Sequence, residues 1–158
     1  MKKILIALDY DPSAQKIAET GYGFEKFMNA QLILLHITSD PAYYSSLNYS
    51  PIMGFDSFSN LDIIQTDTTT VLKKAAQEYL DKSKQHLGDK SIQTVVKDGD
   101  FGQSILDTAT EMNVDMIVTG THSRRGLDKI LMGSVAEKVL HKSSIPLFII
   151  PTKNYEYK

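Results

Sequence analysis

The chain has 158 residues, of which 42% are hydrophobic, and its 19 acidic and 17 basic side chains leave a net charge of −2 at pH 7. This length suits a single domain with its own core, and the charge excludes a protein that binds nucleic acid through a basic surface. The absence of cysteine excludes disulfides and thiolate metal sites. No apolar run reaches the roughly 20 residues of a membrane-spanning helix, and the run after Lys3 is too short for a secretory leader. We therefore expect a cytoplasmic protein with no membrane partner.

Short apolar runs alternate along the chain with longer segments of helical period. This order is typical of a parallel sheet with helices on both faces. Strands are predicted at residues 4–8, 32–37, 92–96, 114–118 and 147–150. Helices are predicted after Asp11, over 71–87, after Asp100 and over 135–141. The sequence therefore predicts an α/β fold, a five-stranded parallel sheet sandwiched by helices.

The ends of the predicted helices carry capping signals. Asp11 is expected to cap the first helix, with Pro12 at its first position. Gly88 stands where a glycine ends a helix. The segments Asp100 to Gln103 and Ser134 to Glu137 both have the spacing of a capping box, in which the two side chains satisfy two backbone N–H groups.

The connection between the second strand and the second helix, residues 41–70, is long and rich in tyrosine, serine, asparagine and aspartate. A loop of this length is unusual and often functional. It is a lid, an interface or a disordered insert, and the sequence does not decide between these. We predict one domain over residues 1–152, this insert included, and a polar tail over 153–158.

The segment from Gly120 to Ser134 leads from the fourth strand to the N-terminus of the fourth helix. Ligands of open parallel sheets bind outside the carboxyl ends of the strands, where strand order reverses. Glycines at 120, 126 and 133 permit tight turns and close approach to a ligand. Arg124 and its neighbour add positive charge, and a helix N-terminus offers unpaired N–H groups. This pattern predicts an anion site, with phosphate as the anion, although the chain has no P-loop sequence.

The same segment resembles the signature of the universal stress protein family, G-x-x-G-(nine residues)-G-[ST]. Gly120 matches the first glycine, and Gly133 and Ser134 match the final pair. Ser123 stands where the pattern has its second glycine. The opening strand with its acid and the turn at 98–100 also resemble the family, so the resemblance covers the chain apart from the long insert and the tail.

This resemblance implies a Rossmann-like fold of the adenine nucleotide alpha hydrolase-like kind. It also implies a binding site for an adenine nucleotide, above all ATP, with Mg²⁺ or Mn²⁺ carried on the phosphates. In this site Asp9 would hold the ribose, the backbone of Ile37 would contact adenine, and the glycine segment would hold ribose and phosphates. The site residues that the resemblance implies are Ala7, Asp9, Ile37, Gly120, Thr121, His122, Ser123, Arg124, Gly126, Gly133, Ser134 and Val135.

The resemblance further implies a stress-response sensor or regulator that forms a homodimer through the strand at 147–150. An exposed apolar sheet edge invites such pairing. Two other functions stay open: a dimeric interaction protein with a vestigial site, and a slow ATPase or adenylyl-transferring enzyme. No nucleophile, general base or carboxylate pair can be assembled from the sequence, so we expect weak hydrolysis at most and assign no catalytic residue and no metal ligand.

Several candidate residues have simpler structural interpretations. Asp9 and Ser134 would then only cap their helices, and His122 would be a solvated loop histidine. Arg124 and its neighbour would form a solvated charge pair. His36 lies within a predicted buried strand, where a core histidine with satisfied hydrogen bonds is expected.

Overall fold

A computed structural model describes residues 1–39, 68–121 and 132–152. Within these ranges the strands are β1 (Lys2–Ala7), β2 (Ala30–Thr38), β3 (Gln93–Asp98), β4 (Met116–Gly120) and β5 (Leu147–Ile150). The helices are α1 (Ala14–Met28), α2 (Thr68–Leu87), α3 (Phe101–Glu111) and α4 (Ser134–Lys142). The alternation of the two confirms the predicted α/β fold.

The five strands form one parallel sheet in the order β3-β2-β1-β4-β5. The register between β1 and β2 runs from Lys2 opposite Ala30 to Ala7 opposite Leu35. From β1 the chain adds β2 and β3 on one side and then returns to add β4 and β5 on the other. The order therefore reverses between β1 and β4, which is where open sheets of this kind bind ligands.

The core lies on both faces of this sheet. On one face Ile4 and Ile6 pack with residues of α1 and α2 such as Ile17 and Leu80. On the other face Leu5 packs with residues of α3 and α4. Because β1 and β2 are covered on both sides, their central runs, Ile4 to Ala7 and Leu32 to Leu35, are wholly apolar, as is typical of a buried parallel strand.

The glycine of α1 that faces the sheet is needed for close packing. A Cβ atom at Gly21 would meet the side chain of Ile6, whereas one at Gly23 would meet no atom within 4 Å. The close packing of α1 on the sheet is therefore confirmed at Gly21, and Gly23 lies on the exposed side of the helix.

The predicted start of α1 is wrong by two residues. The helix begins at Ala14 with Ser13 at the N-cap position, and no side chain caps it. Asp11 accepts a hydrogen bond from the Ser13 N–H at 2.9 Å, and its carbonyl accepts one from the Ala14 N–H at 2.9 Å. Asp11 therefore forms a turn before the helix, because its side chain reaches a backbone N–H only two residues ahead.

Several strand boundaries also shift. β3 covers 93–98 instead of 92–96, and β4 covers 116–120 instead of 114–118, since its pairing with β1 starts where Met116 lies opposite Ile4. The last three residues of the predicted long loop belong to α2, which begins at Thr68. Residues 40–67 and the predicted tail 153–158 lie outside the described residues. No helix in the described part of the chain is both long enough and apolar enough to cross a bilayer.

Candidate functional site

The carboxyl ends of β1 and β4 lie side by side where the strand order reverses. The helix that follows β1 packs on one face of the sheet and the helix that follows β4 packs on the other. In open parallel sheets such a pair of strand ends borders the crevice in which ligands bind. The segments that border this crevice are the turn after β1, the end of β4 and the N-terminus of α4.

The turn after β1 is built from two consecutive aspartate turns. Leu8 extends the strand pairing by one residue, since its N–H donates to the Leu35 carbonyl at 2.9 Å. Asp9 Oδ1 then accepts from the Asp11 N–H at 3.0 Å, and Asp11 Oδ1 accepts from the Ser13 N–H. Side-chain oxygens thus hold the backbone in place of strand or helix bonds, and the Asp9 carboxylate is held at the carboxyl edge by its own turn.

Two side chains from other elements hold the carbonyls of this turn. His36, near the end of β2, bonds the Leu8 carbonyl through Nδ1 at 2.7 Å. The Tyr79 hydroxyl, on α2, donates to the Asp9 carbonyl at 2.6 Å. The ring of Tyr10 lies against His36, with centroids 4.1 Å apart, and meets Tyr79 edge-on at 4.9 Å. The turn is therefore tied to both β2 and α2.

His36 is a neutral core histidine. It is buried, and this burial lowers its pKa to about 4, against a smaller upward effect of the bond to the Leu8 carbonyl. A carbonyl can only accept, so Nδ1 carries the proton and Nε2 carries the lone pair. Nε2 is buried without a hydrogen-bond partner. The expectation of a buried histidine is confirmed, but only one of its two nitrogens is satisfied.

The end of β4 is closed by packing and by hydrogen bonds. A Cβ atom at Gly120 would lie 2.5 Å from Ile17 Cδ1 and 2.9 Å from Thr152 Cγ2. Thr121 donates its N–H to the Ile150 carbonyl at 3.0 Å, and its hydroxyl accepts from the Thr152 N–H at 3.1 Å. The core of the protein therefore gives a reason of its own for glycine at 120, and the expected role of Gly120 towards a ligand stays a prediction.

The N-terminus of α4 differs from what the capping-box pattern predicts. Gly133 is the N-cap residue, and within residues 1–39, 68–121 and 132–152 no side chain caps the helix. Its N–H donates to the Thr121 carbonyl, which fixes the helix start beside the end of β4. Ser134 is the first helical residue and so lies one position beyond the N-cap. The Glu137 side chain does not return to the helix start: its Oε1 lies 3.8 Å from His141 Nε2. The predicted capping role of Ser134 is therefore wrong.

The N-terminus of α3 lies at the same edge of the sheet and is capped. Asp100 Oδ1 accepts from the Gln103 N–H at 2.8 Å and from Lys138 Nζ at 2.6 Å. The hydrogen bond from Lys138 and the bond from the backbone lower the pKa of Asp100. Gln103 turns to Asp107 instead of back to the helix start, so half of the predicted capping box forms.

The structure brings all eight described candidate residues to one edge of the sheet. Ile37 is buried beneath α3 and α4, so its backbone is the part placed at the edge. Thr121 is also buried, and its hydroxyl is used by Thr152. The candidates that lie at this edge are Ala7, Asp9, Ile37, Gly120, Thr121, Gly133, Ser134 and Val135. The candidates His122, Ser123, Arg124 and Gly126 lie outside the described residues.

The sequence did not reveal the support of the turn by His36 and Tyr79. The helical period correctly places Tyr79 on the inner side of its helix, but nothing in the pattern shows that its hydroxyl reaches a carbonyl 70 residues away. Across residues 1–39, 68–121 and 132–152 no group of three or more histidine or acidic side chains is arranged to hold a metal ion.

Comparison with known proteins gives one consistent result. The sequence model of the Universal stress protein family matches residues 1–151. Universal stress protein MJ0577 of Methanocaldococcus jannaschii is 25% identical over 97% of this chain and 96% of its own length. Universal stress protein YxiE of Bacillus subtilis is 27% identical over 94% of this chain and 97% of its own length.

Solved structures share the fold. The structure of MJ0577 superposes with a TM-score of 0.73 at 24% identity and 98% coverage of both chains. Universal stress protein UspA from Lactobacillus plantarum gives a TM-score of 0.71 at 19% identity, covering 94% of this chain and 97% of that one. A universal stress protein solved in complex with cAMP gives 0.60 at 16% identity, covering 94% and 95%. With a parallel sheet of this order and a family match over nearly its whole length, the chain belongs to the universal stress protein family.

Proposed function

We propose that this protein binds an adenine nucleotide, with ATP as the preferred ligand, in the crevice between β1 and β4. The proposal includes a role as a cytoplasmic sensor or regulator in the stress response. The observation that carries it is the N-terminus of α4, which no side chain among the described residues caps and which is held at the end of β4 by the Thr121–Gly133 bond.

An uncapped helix N-terminus suits a phosphate. The first N–H groups of a helix have no partner within it, and the aligned peptide dipoles leave partial positive charge there. Gly133 adds no side chain to obstruct the approach, and the N–H groups of Ser134 and Val135 follow it. Anions bind such ends readily, so these residues fit the phosphates of a nucleotide.

The turn after β1 suits the sugar. A carboxylate only accepts hydrogen bonds when ionised, and ribose hydroxyls are donors, so Asp9 fits the ribose. The backbone of Ile37, at the neighbouring strand end, fits the edge of adenine. The relative in complex with cAMP supports this class of ligand, since cAMP and ATP share the adenine and ribose groups. Mg²⁺ or Mn²⁺, when present, would neutralise charge on the phosphates.

Calorimetric titration with ATP of protein stripped of small molecules tests this assignment. Wild type is expected to bind, and Gly133→Val to lose binding, because a branched side chain at the N-cap occupies the space of the phosphate. The φ of Gly133 is −60°, which any residue adopts, so the fold should be retained. Gly23→Val is the matched control, since that position is exposed and has no neighbouring atom within 4 Å.

Equal ATP affinity in wild type and Gly133→Val would overturn the placement of the phosphates. No binding by wild type, with no nucleotide released on denaturation of freshly purified protein, would favour the vestigial site. Measurement of ATP turnover with Mg²⁺ in the same preparation distinguishes a slow ATPase from a binding protein.

We also propose a homodimer through β5. Of the two edge strands, β3 carries Lys97 and Asp98, whereas β5 is wholly apolar. Phe148 on β5 is 39% exposed and stacks edge-on against Phe24, with centroids 4.7 Å apart. Charged edges resist pairing and apolar edges invite it. Sedimentation should give twice the chain mass of 17.7 kDa, and Phe148→Glu should give the monomer; a wild-type monomer at all concentrations would contradict the dimer.

A further inference from the structure

The backbone of the turn after β1 leaves the sheet within one residue. Ala7 is the last residue of the strand, and Leu8 makes one more ladder bond through its N–H. The carbonyls of Leu8 and Asp9 then have no strand to pair with, yet a buried carbonyl needs a donor. The two donors are side chains from separate elements, His36 on β2 and Tyr79 on α2.

These two bonds hold the carbonyls of the two peptide units that flank the Cα of Asp9. Because each peptide unit is planar, fixing both carbonyls restrains the planes on both sides of this Cα and hence the direction in which the Cα–Cβ bond of Asp9 leaves the chain. Tyr10 follows Asp9 in the chain, and its ring packs against the rings of both His36 and Tyr79. The bond from the Asp11 N–H then holds the Asp9 carboxylate itself.

We propose that His36 and Tyr79 are positioning residues that orient Asp9 towards the ribose of the bound nucleotide. This inference rests on the proposed nucleotide site and deepens it. Neither side chain touches the ligand; each acts through the backbone of the turn. A carboxylate that is held in place binds a hydroxyl without first losing conformational freedom, which is the general advantage of a preorganised site.

Tyr79→Phe tests the proposal, because it removes one hydroxyl and keeps the ring against Tyr10 and His36. Binding is measured by calorimetry with ATP and with 2′,3′-dideoxy-ATP, which lacks both ribose hydroxyls. The variant is expected to bind ATP about fivefold more weakly, the usual effect of one hydrogen bond. Its affinity for the dideoxy compound should equal that of wild type, because the ribose contact is already missing there.

Tyr22→Phe is the matched control. Tyr22 lies on α1, packs against the same core and makes a cation–π contact with Lys26, remote from the turn. The control should bind both nucleotides as wild type does. A loss of affinity for both nucleotides in Tyr79→Phe would overturn the proposal, because it would show a general loosening of the fold.

A double-mutant cycle with Asp9→Ala shows whether Tyr79 acts through Asp9. If it does, adding Tyr79→Phe to Asp9→Ala changes ATP affinity no further. A further fivefold loss in the double variant would overturn the proposal. Failure of wild type to bind ATP would overturn the proposed function together with this inference, whereas ATP binding that is unchanged in Tyr79→Phe would overturn this inference alone.

His36 offers an independent pair of variants. In His36→Asn the side-chain N–H₂ stands near the position of Nδ1 and keeps a donor for the Leu8 carbonyl, whereas His36→Phe fills the space without a donor. The His36→Asn variant should retain most of the wild-type preference for ATP over 2′,3′-dideoxy-ATP, and the His36→Phe variant should lose this preference. An equal preference in the two variants would contradict the role given to His36.

Discussion

Two helices begin at the same edge of the sheet, and their N-termini are completed in different ways. The start of α3 is capped by Asp100, which also binds Lys138 of α4. The start of α4 has Gly133 at its N-cap, and no side chain in the described part of the chain caps it. Both sequences show the same capping-box spacing, so the difference lies in where each helix begins. A capped end is complete within the protein, whereas an uncapped end at a crevice has N–H groups available for a ligand.

We expect the largest loss of unfolding free energy from Gly120→Val, at the end of β4, the strand that precedes α4. Its side chain would collide with Ile17 and Thr152, and overpacking of this kind costs about 3 kcal/mol of unfolding free energy. Urea unfolding measures it, with Gly133→Val as the matched variant that should retain stability near that of wild type. Equal stability of the two variants would contradict the distinction between a packing glycine and a ligand-site glycine.

The turn after β1 and the cap of α3 are expected to lose stability over different ranges of pH. The pKa of His36 is about 4 in the fold and 6.5 in the unfolded chain, so between these values the unfolded chain binds more protons and stability falls as pH falls. We expect about 2 kcal/mol to be lost between pH 7 and pH 5. The pKa of Asp100 is lowered from 3.8, so stability from its ionised form is lost only at lower pH.

Urea unfolding at pH 7, 6 and 5 measures this loss. His36→Asn should flatten the dependence, because the group that takes up the proton is gone. An unchanged slope in that variant would show that a group other than His36 is responsible.

Gly133→Asp would give α4 the cap that α3 already has. The ψ of Gly133 is 153°, an extended value that is usual for an N-cap residue. An aspartate carboxylate at this position can therefore accept hydrogen bonds from the first N–H groups of the helix. We expect stability to rise by a few tenths of a kcal/mol and ATP affinity to fall at least about tenfold, because a negative charge would occupy the phosphate position. Unchanged ATP affinity in calorimetry would contradict the placement of the phosphates at the start of α4.

The smallest effects come from alanine at the two predicted caps. Asp100→Ala should cost about 1 kcal/mol, the usual loss for a capping side chain, and should leave ATP affinity unchanged. Ser134→Ala should change stability by no more than a few tenths of a kcal/mol, because its hydroxyl caps nothing. Thermal unfolding of the two variants side by side measures the difference. An equal loss of stability in both would show that Ser134 does cap its helix.

The sequence predicted the elements well where one face or both faces are buried. Apolar runs such as Ile4 to Leu8 can be buried only inside a sheet, and Gly88, with a φ of 75°, ends α2 as expected. The start of α1 was misplaced by two residues and that of α4 by one. Asp11 and Ser134 can each form more than one local hydrogen bond, and the surrounding packing decides which one forms.

The sequence by itself therefore determined the α/β class and the family, and it predicts the edge of the sheet at which we propose that a ligand binds. Each of these depends on patterns that are local or repeated along the chain. Only the tertiary structure showed that Gly120 is needed for packing against Ile17 and Thr152, and that His36 and Tyr79 hold the turn of Asp9. These contacts join residues far apart in sequence, and they exist only once the sheet has brought them together.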